Sequence, residues 1–322
     1  MTKTVLVALG GNALVRKSEA GGFDQQVGNA SQIAEVVADL VDSGTSVVIT
    51  HGNGPQVGNV MLQNDAEGAQ PMPLFACGAQ SQGLIGAALT LAFDSVFRRR
   101  GLETCTATML TPVVVDDADL GEPTKPVGSF YTESEANRKD GQFREDAGRG
   151  WRRVVQSPDP VDVRCTDRIQ GVLDQGDVPV AAGGGGLPVR ETERGYEYVD
   201  GVIDKDLTAA LLAEQLGVDR FVILTDVPKV CLDYGTPNER AVDRLDLASA
   251  RACQSNGHFE RGSMYEKIEA VCQFLEGEAA ADAVIASLDD VEDAVAGRAG
   301  TTFEANTEPG GRPNGSDSDV GT

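Results

Sequence analysis

Residues 4–9 read TVLVAL and stop at Gly10-Gly11. An uninterrupted β-branched and apolar run closed by glycine is the pattern of a buried strand. Ile33, Val36, Val37, Leu40 and Val41 then recur at helical spacing, Gly44 ends that helix, and SVVIT at 46–50 supplies the next strand. Strand, helix and strand in that order require a crossover over a parallel sheet. The order repeats: a helix over 80–100 precedes TCTATML, and one over 166–175 precedes VPVAA. A helix over 206–217 precedes RFVILT, and one over 264–277 precedes AVIAS. The chain is therefore expected to be α/β with a mainly parallel sheet. Its 322 residues suffice for one large domain or two closely packed lobes.

Two stretches interrupt the rhythm. Residues 112–163 are rich in proline, glycine and charge, which predicts a protruding subdomain rather than a sheet layer. Residues 188–200 (PVRETERGYEYVD) alternate polar and apolar around Gly195 and predict an exposed hairpin. From about Glu304 glycine, proline, serine and aspartate carry no apolar pattern, so a disordered acidic tail is expected over 304–322.

Three expected strand ends carry glycine: Gly10-Gly11-Asn12-Ala13, His51-Gly52-Asn53-Gly54-Pro55 and Gly183-Gly184-Gly185-Gly186. Ligands of open α/β sheets collect outside the carboxyl ends of the strands. Glycine lets backbone N–H groups approach an anion without a Cβ clash, so these loops predict phosphate or carboxylate binding. Neither GxxxxGK[ST] nor GxGxxG occurs, which removes the P-loop and dinucleotide readings.

A phosphate polymer is not the expected anion. Fifty Asp+Glu against 27 Lys+Arg give a formal charge of −23, which offers nothing to a nucleic acid or an anionic membrane. Only seven of those basic residues are lysines, and acidity of this kind suits concentrated salt, so a halophilic cytoplasm is expected. Six scattered cysteines without a CxxC pair predict a reduced, cytoplasmic protein. With His51 and His258 the only histidines, no zinc site is expected. The N-terminus runs straight into a strand, so no signal peptide is expected, and no membrane span is expected because no apolar stretch approaches roughly 18 residues.

Phosphoryl transfer needs cations on the developing charge, because its catalysis is largely positioning and electrostatics. Three lysines lie in suitable places: Lys125 in KPVGSFY, Lys205 in VIDKD at a strand end opening a helix, and Lys267 after Gly262-Ser263. Ser263 could cap the Lys267 helix. Asp204 and Asp206 are read either as helix-entry acids stabilised by the dipole or, for Asp206, as the holder of two lysines.

GGNA (10–13), HGNGPQVG (51–58), CGAQSQGLIG (77–86), KPVGSFY (125–131), AAGGGGLPV (181–189), VIDKDLTAALLA (202–213), LTDVPKV (224–230) and GSMYEKIEA (262–270) together resemble carbamate kinase, of the amino-acid-kinase superfamily. The resemblance runs from about residue 3 to GRAGTTF at 297–303. It implies a three-layer αβα sandwich with a protruding subdomain, a homodimer, and reversible phosphate transfer between ATP and carbamate with Mg²⁺. Residues 1–200, with the subdomain at 112–163, would bind carbamate or carbamoyl phosphate; 201–303 would bind ATP or ADP. By the same resemblance Lys125 reaches over the site, Lys205 and Lys267 neutralise the transferring phosphoryl, and Asp206 orients them. Gly10, Gly11, Asn12, Gly52, Asn53 and Gly54 form the carbamate-side cradle. Thr225, Asp226, Tyr234 and Ser263 flank the nucleotide. The physiological direction it implies is ATP formation in arginine breakdown.

Carbamate brings its own anionic oxygen, so no general base is required and His51 is read as a hydrogen-bonding part of its loop. Magnesium would be held mainly by the nucleotide phosphates, with no protein ligand assigned. Gln80 stands where a bulkier apolar residue is expected, and Arg261 and Tyr265-Glu266 are unusual beside the third lysine. Two alternatives stay open: another acyl-phosphate-forming amino-acid kinase, such as an acetylglutamate-type enzyme, or a non-catalytic nucleotide-binding protein of the same fold.

Overall fold

The run TVLVAL forms β1 (Thr4–Leu9), whose side chains leave alternately toward two separate cores. Leu6 and Ala8 pack with Leu212, Val271 and Phe274; Val5, Val7 and Leu9 pack with Ile33, Ile85 and Phe93. A strand apolar at five consecutive positions, Val5 to Leu9, needs both faces covered, so this run is the local cause of a three-layer αβα sandwich. The computed structural model describes residues 3–16, 19–66, 68–146, 148–259, 262–277 and 282–305. The expected tail falls outside the described residues from 306 onward, and so does Arg261.

After β1 come α1 (Phe23–Asp42), β2 (Ser46–His51), α2 (Gly54–Asn64), α3 (Leu74–Arg100), β3 (Thr106–Thr108) and β4 (Pro112–Val115). The insertion continues with β5 (Lys125–Tyr131), α4 (Glu133–Ala136), β6 (Gln142–Glu145), β7 (Trp151–Val155) and β8 (Pro160–Val163). Then follow α5 (Thr166–Asp174), β9 (Val178–Val180), β10 (Leu187–Thr192), β11 (Gly195–Tyr198), α6 (Lys205–Leu216) and β12 (Arg220–Thr225). The last part holds β13 (Cys231–Leu232), β14 (Arg240–Ala241), β15 (Arg244–Asp246) and α7 (Leu247–Ser255). It closes with α8 (Met264–Glu276), β16 (Asp282–Ser287), α9 (Val291–Val295) and β17 (Thr301–Glu304).

The main sheet runs β15-β17-β16-β12-β1-β2-β9-β3, parallel throughout except where β16 meets β17. One face is covered by α1, α3 and α9, the other by α5 to α8. Because β1 pairs with β12, a single sheet runs through both expected lobes.

Helix α3 begins at Leu74, six residues before the sequence expectation, and by length and composition alone it would satisfy a membrane span. That corrects the sequence reading, which found no apolar stretch of such a length. Its Ile85, Leu89, Phe93 and Phe97 are instead buried in the layer shared with α1. Gln80 is exposed on the same helix, so its departure from the family pattern alters no packing within the chain.

The insertion 112–163 protrudes only in its middle. Its two ends, β4 and β8, pair with each other, and β4 also pairs with β10 of the expected hairpin, giving the sheet β11-β10-β4-β8. Val113, Val115 and Val163 belong to the main core. The outer sheet, β5-β7-β6, rests on α2 and the start of α3 through Val127, Val155, Val57, Val60 and Leu74. That small apolar footing sets where β5, and therefore Lys125, meets the body.

Candidate active site

Strands β12, β1, β2 and β9 are consecutive neighbours and parallel, so the three glycine loops and Thr225 emerge side by side. The loops touch. A Cβ on Gly52 would stand 2.8 Å from Gly11 Cα and 3.3 Å from Lys205 Cδ, so only glycine fits between them. In the third loop a Cβ on Gly184, which has φ +63°, would collide with the Asn53 amide. Gly10 abuts the Leu224 carbonyl, Gly183 lies against the His51 ring, Gly185 against the Ile203 carbonyl, and Gly186 against Val113. Close protein packing thus accounts for every glycine of the third loop. Gly54 opens α2 and is exposed.

The lysines converge from three elements. Asp204 is the N-cap of α6: its Oδ1 accepts from the Asp206 N–H at 2.9 Å, and its Oδ2 accepts from Lys125 Nζ at 2.9 Å. Asp206, two residues on in the first turn, is buried and receives both Lys205 Nζ and Lys267 Nζ, the latter at 3.0 Å. Burial alone would raise the Asp206 carboxyl, but the two ammonium groups outweigh it and bring it to about 2. Burial works against the charge on Lys267, yet the Asp206 carboxylate prevails and holds that ammonium above the ordinary lysine range. All three sequence-predicted lysines and Asp206 therefore meet at one helix start.

His51 is buried at the end of β2, and its Nδ1 donates to the Gly52 carbonyl at 3.1 Å. Burial, helped by the Lys205 charge against the opposing pull of the Gly52 bond, lowers its pKa to about 4. A histidine held neutral with its proton on Nδ1 supports the loop, as the sequence reading has it.

Beyond the end of β12 lies a cleft of about 520 Å³. Thr225, Asp226, Tyr234 and Ser263 all line it, so the four expected nucleotide-side residues are brought together. Asn12 Nδ2 donates to Asp226 Oδ2 at 2.9 Å and ties the first glycine loop to the rim of this cleft. Ser263 does occupy the N-cap of α8 but makes no capping hydrogen bond; Gly262 N–H donates instead to Glu266 Oε1 at 2.8 Å. The expected cap is thereby corrected: Ser263 has φ −149° and ψ −93°, outside the extended region usual for a capping residue.

Sequence reasoning missed Lys229, His258 and Phe259 in the cleft wall, although Lys229 sits in the LTDVPKV run and His258 is one of two histidines. It also missed Ser81 and Gln82. Ser81 Oγ accepts from Asn53 Nδ2 at 2.8 Å, and Gln82 Nε2 donates to the Gly183 carbonyl at 2.8 Å, so adjacent residues of α3 brace two glycine loops. The CGAQSQG run was their one available signal.

Residues 3–287 match the amino acid kinase family. The carbamate kinase of Pyrococcus furiosus is 41% identical over 94% of this chain and 99% of its own. Carbamate kinase 1 of Enterococcus faecium is 40% identical over 90% of this chain and 95% of its own. The solved structure of Giardia lamblia carbamate kinase bound to AMP-PNP superposes with a TM-score of 0.86 at 39% identity, covering 95% of this chain and 99% of the other. The chain belongs to the amino acid kinase family and, within it, to the carbamate kinases.

Proposed function

We infer that this chain catalyses reversible phosphoryl transfer between ATP and carbamate, giving ADP and carbamoyl phosphate. The observation that carries the reading is the pairing of Lys205 and Lys267 on one buried carboxylate where the glycine loops meet the cleft beyond β12. A carbamate oxygen attacks the γ-phosphorus of ATP; the new O–P bond forms as the bond to the bridging oxygen breaks, and ADP leaves. The Lys205 and Lys267 ammoniums stabilise charge on the transferring phosphoryl, fixed by Asp206 before substrate arrives. Gly10, Gly11, Asn12, Gly52, Asn53 and Gly54 cradle the carbamate side, with Gly183–Gly186 as the wall behind them. Lys125 closes from the insertion. Thr225, Asp226, Tyr234 and Ser263 border the nucleotide. His51, held neutral, takes no proton.

Magnesium fits this site as an ion carried by the nucleotide. Both oxygens of Asp206 are occupied by lysines, and among the described residues no three His, Cys, Asp or Glu side chains come together to hold a metal. When bound, Mg²⁺ would neutralise part of the nucleotide's phosphate charge.

The same reading places the enzyme in the cytoplasm as a homodimer that makes ATP during arginine breakdown. All six cysteines are free, in keeping with a reducing compartment. The edge strand β3 and the exposed Leu84 and Leu91 of α3 offer an apolar face to a second copy. Light scattering should give twice the chain mass, and one chain mass for Leu91→Arg; a monomeric wild type would refute the dimer.

The central experiment is coupled ATP formation from ADP and carbamoyl phosphate across a KCl series. Turnover rising toward molar KCl supports both the activity and the halophilic reading of the acidic surface; turnover falling steadily above physiological salt removes the latter. Turnover with N-acetylglutamate and ATP but none with carbamate would assign a different acyl-phosphate-forming kinase. ADP binding without ATP formation at any salt would make the chain a binding protein.

A further inference from the structure

Asn53 stands where two glycine loops meet. Gly52, before it, packs on Gly11 and the Lys205 side chain, while Gly184 of the third loop lies against its amide. Behind it, on the buried face of α3, is Ser81. Ser81 Oγ lies 2.7 Å from the Gly78 carbonyl oxygen and 2.8 Å from Asn53 Nδ2. A carbonyl oxygen only accepts, so the single hydroxyl proton of Ser81 goes to Gly78 and a lone pair is left for Asn53. The Asn53 amide must therefore turn its NH₂ toward Ser81. The contact with Gly184 leaves the amide little room to swing away.

This fixes the other end of the side chain. Asn53 Oδ1 accepts no hydrogen bond from the described residues. The nearby carboxylates have both oxygens engaged, Asp204 by Lys125 and the Asp206 N–H and Asp206 by two lysines, so Oδ1 is an acceptor left open beside loop N–H groups and three ammonium groups. Those ammoniums are already engaged, Lys205 and Lys267 with Asp206 and Lys125 with Asp204. An oxygen presented to a phosphate oxygen or a carboxylate would repel it. It serves a substrate that carries an N–H.

We propose that Asn53 Oδ1 accepts a hydrogen bond from the amino group of the carbamoyl moiety, and that Ser81 is the positioning residue that fixes this polarity. The pair selects an amide-bearing acyl phosphate over its methyl counterpart. The proposal rests on the carbamoyl-phosphate reading above and adds to it the element that recognises nitrogen. Gln82, next along α3, steadies the opposing wall through the Gly183 carbonyl, so Gly184 keeps its place against the amide.

The test compares ATP formation from carbamoyl phosphate and from acetyl phosphate, in wild type and Ser81→Ala. In the variant the amide is free to flip. kcat/KM for carbamoyl phosphate is expected to fall about tenfold, and that for acetyl phosphate, whose methyl donates nothing, by less than about twofold. KM for ADP should not move. Equal losses with both donors, or no loss with carbamoyl phosphate, would overturn the proposal and leave Ser81 a packing residue.

A second measurement needs no variant and stands even if Ser81→Ala does not fold. Carbamoylmethylphosphonate should inhibit the wild type about tenfold more strongly than acetonylphosphonate, its methyl ketone counterpart. Equal inhibition would overturn the proposal alone if carbamoyl phosphate is turned over. A wild type that makes no ATP from carbamoyl phosphate would overturn the functional reading, and the proposal with it.

Discussion

Two aspartates at the start of α6 hold ammonium groups under different conditions. The Asp206 side chain is 5% exposed and binds Lys205 and Lys267, themselves 14% and 15% exposed. Asp204 binds Lys125, whose side chain is 36% exposed and arrives from the insertion. The inner set is assembled within the body, on helices packed against the same sheet. The outer pair joins two parts of the molecule through a direct, half-buried contact. Charge buried inside costs desolvation and is held rigidly; charge paired at the surface contributes about 0–1 kcal/mol and exchanges readily. Under the proposed function, the inner set would serve transition-state stabilisation and the outer one capture and release.

The comparison breaks most visibly at Asp206. Asp206→Asn would leave two ammonium groups facing each other in a buried site around a neutral amide. Removing one partner from a buried ionic set costs about 3–5 kcal/mol, and urea unfolding at neutral pH should register a loss of that size. Turnover should disappear with it. An Asp206→Asn enzyme of normal stability and rate would show that the inner set is not the working one.

Lys267→Ala separates catalysis from stability within that set. Asp206 keeps Lys205 as a partner, so folding should suffer less than in Asp206→Asn. Turnover should fall about a hundredfold or more, the usual consequence of losing one preorganised electrostatic contact. Lys205→Ala should behave alike. Near-normal turnover in both variants would sink their assigned roles.

Acid reaches the inner region in two stages. Burial disfavours the charge on His51 and lowers its folded pKa to about 4 from the ordinary 6.5. Between those values the unfolded chain takes up a proton that the native one refuses, so stability declines as pH falls from 6.5 toward 4, by at most about 3 kcal/mol. Asp206 follows below its ordinary 3.8: its contribution is complete above that value and is lost as pH falls toward about 2. His51→Gln should remove the first stage and spare the second. Denaturation curves for both proteins at pH 7, 5 and 4 would check it; a wild type equally stable at 7 and 5 would contradict the buried, neutral histidine.

The inner region was also the more legible in sequence, for a physical reason. Glycine at three strand ends and lysine in a chain with few lysines are local signals, and the strand pattern places those loops side by side. The nucleotide-side residues Thr225 and Asp226 follow from the same strand-end rule. What surrounds the outer pair depends on pairing between distant segments, which leaves no local trace. Nothing in residues 112–115 or 160–163 announces that β4 and β8 pair with each other and with β10 of the later hairpin. Ser81 and Gln82 were hidden differently. Polar residues inside a helical pattern read as its solvated side, and only the third dimension shows them turned inward onto two loops. Ser263 was misjudged by the same locality: position and residue type suit a cap, but the backbone there does not.

The smallest expected effect sharpens the comparison best. Lys125→Ala breaks only the outer pair. Asp204 would lose an ammonium partner but keep its capping bond to the Asp206 N–H, so α6 should retain its start. The insertion would keep its apolar footing through Val127 and Val155 on α2 and α3. Stability should therefore change by less than about 1 kcal/mol. If Lys125 exchanges Asp204 for a substrate phosphate, its loss should raise KM for carbamoyl phosphate more than it lowers kcat, since the contact forms on binding rather than in the transition state. Added KCl should narrow the gap between variant and wild type, because an exposed cation is screened while the inner lysines are not. A Lys125→Ala enzyme that loses kcat at unchanged KM, with no dependence on salt, would move Lys125 into the inner set and erase the distinction between the two aspartates.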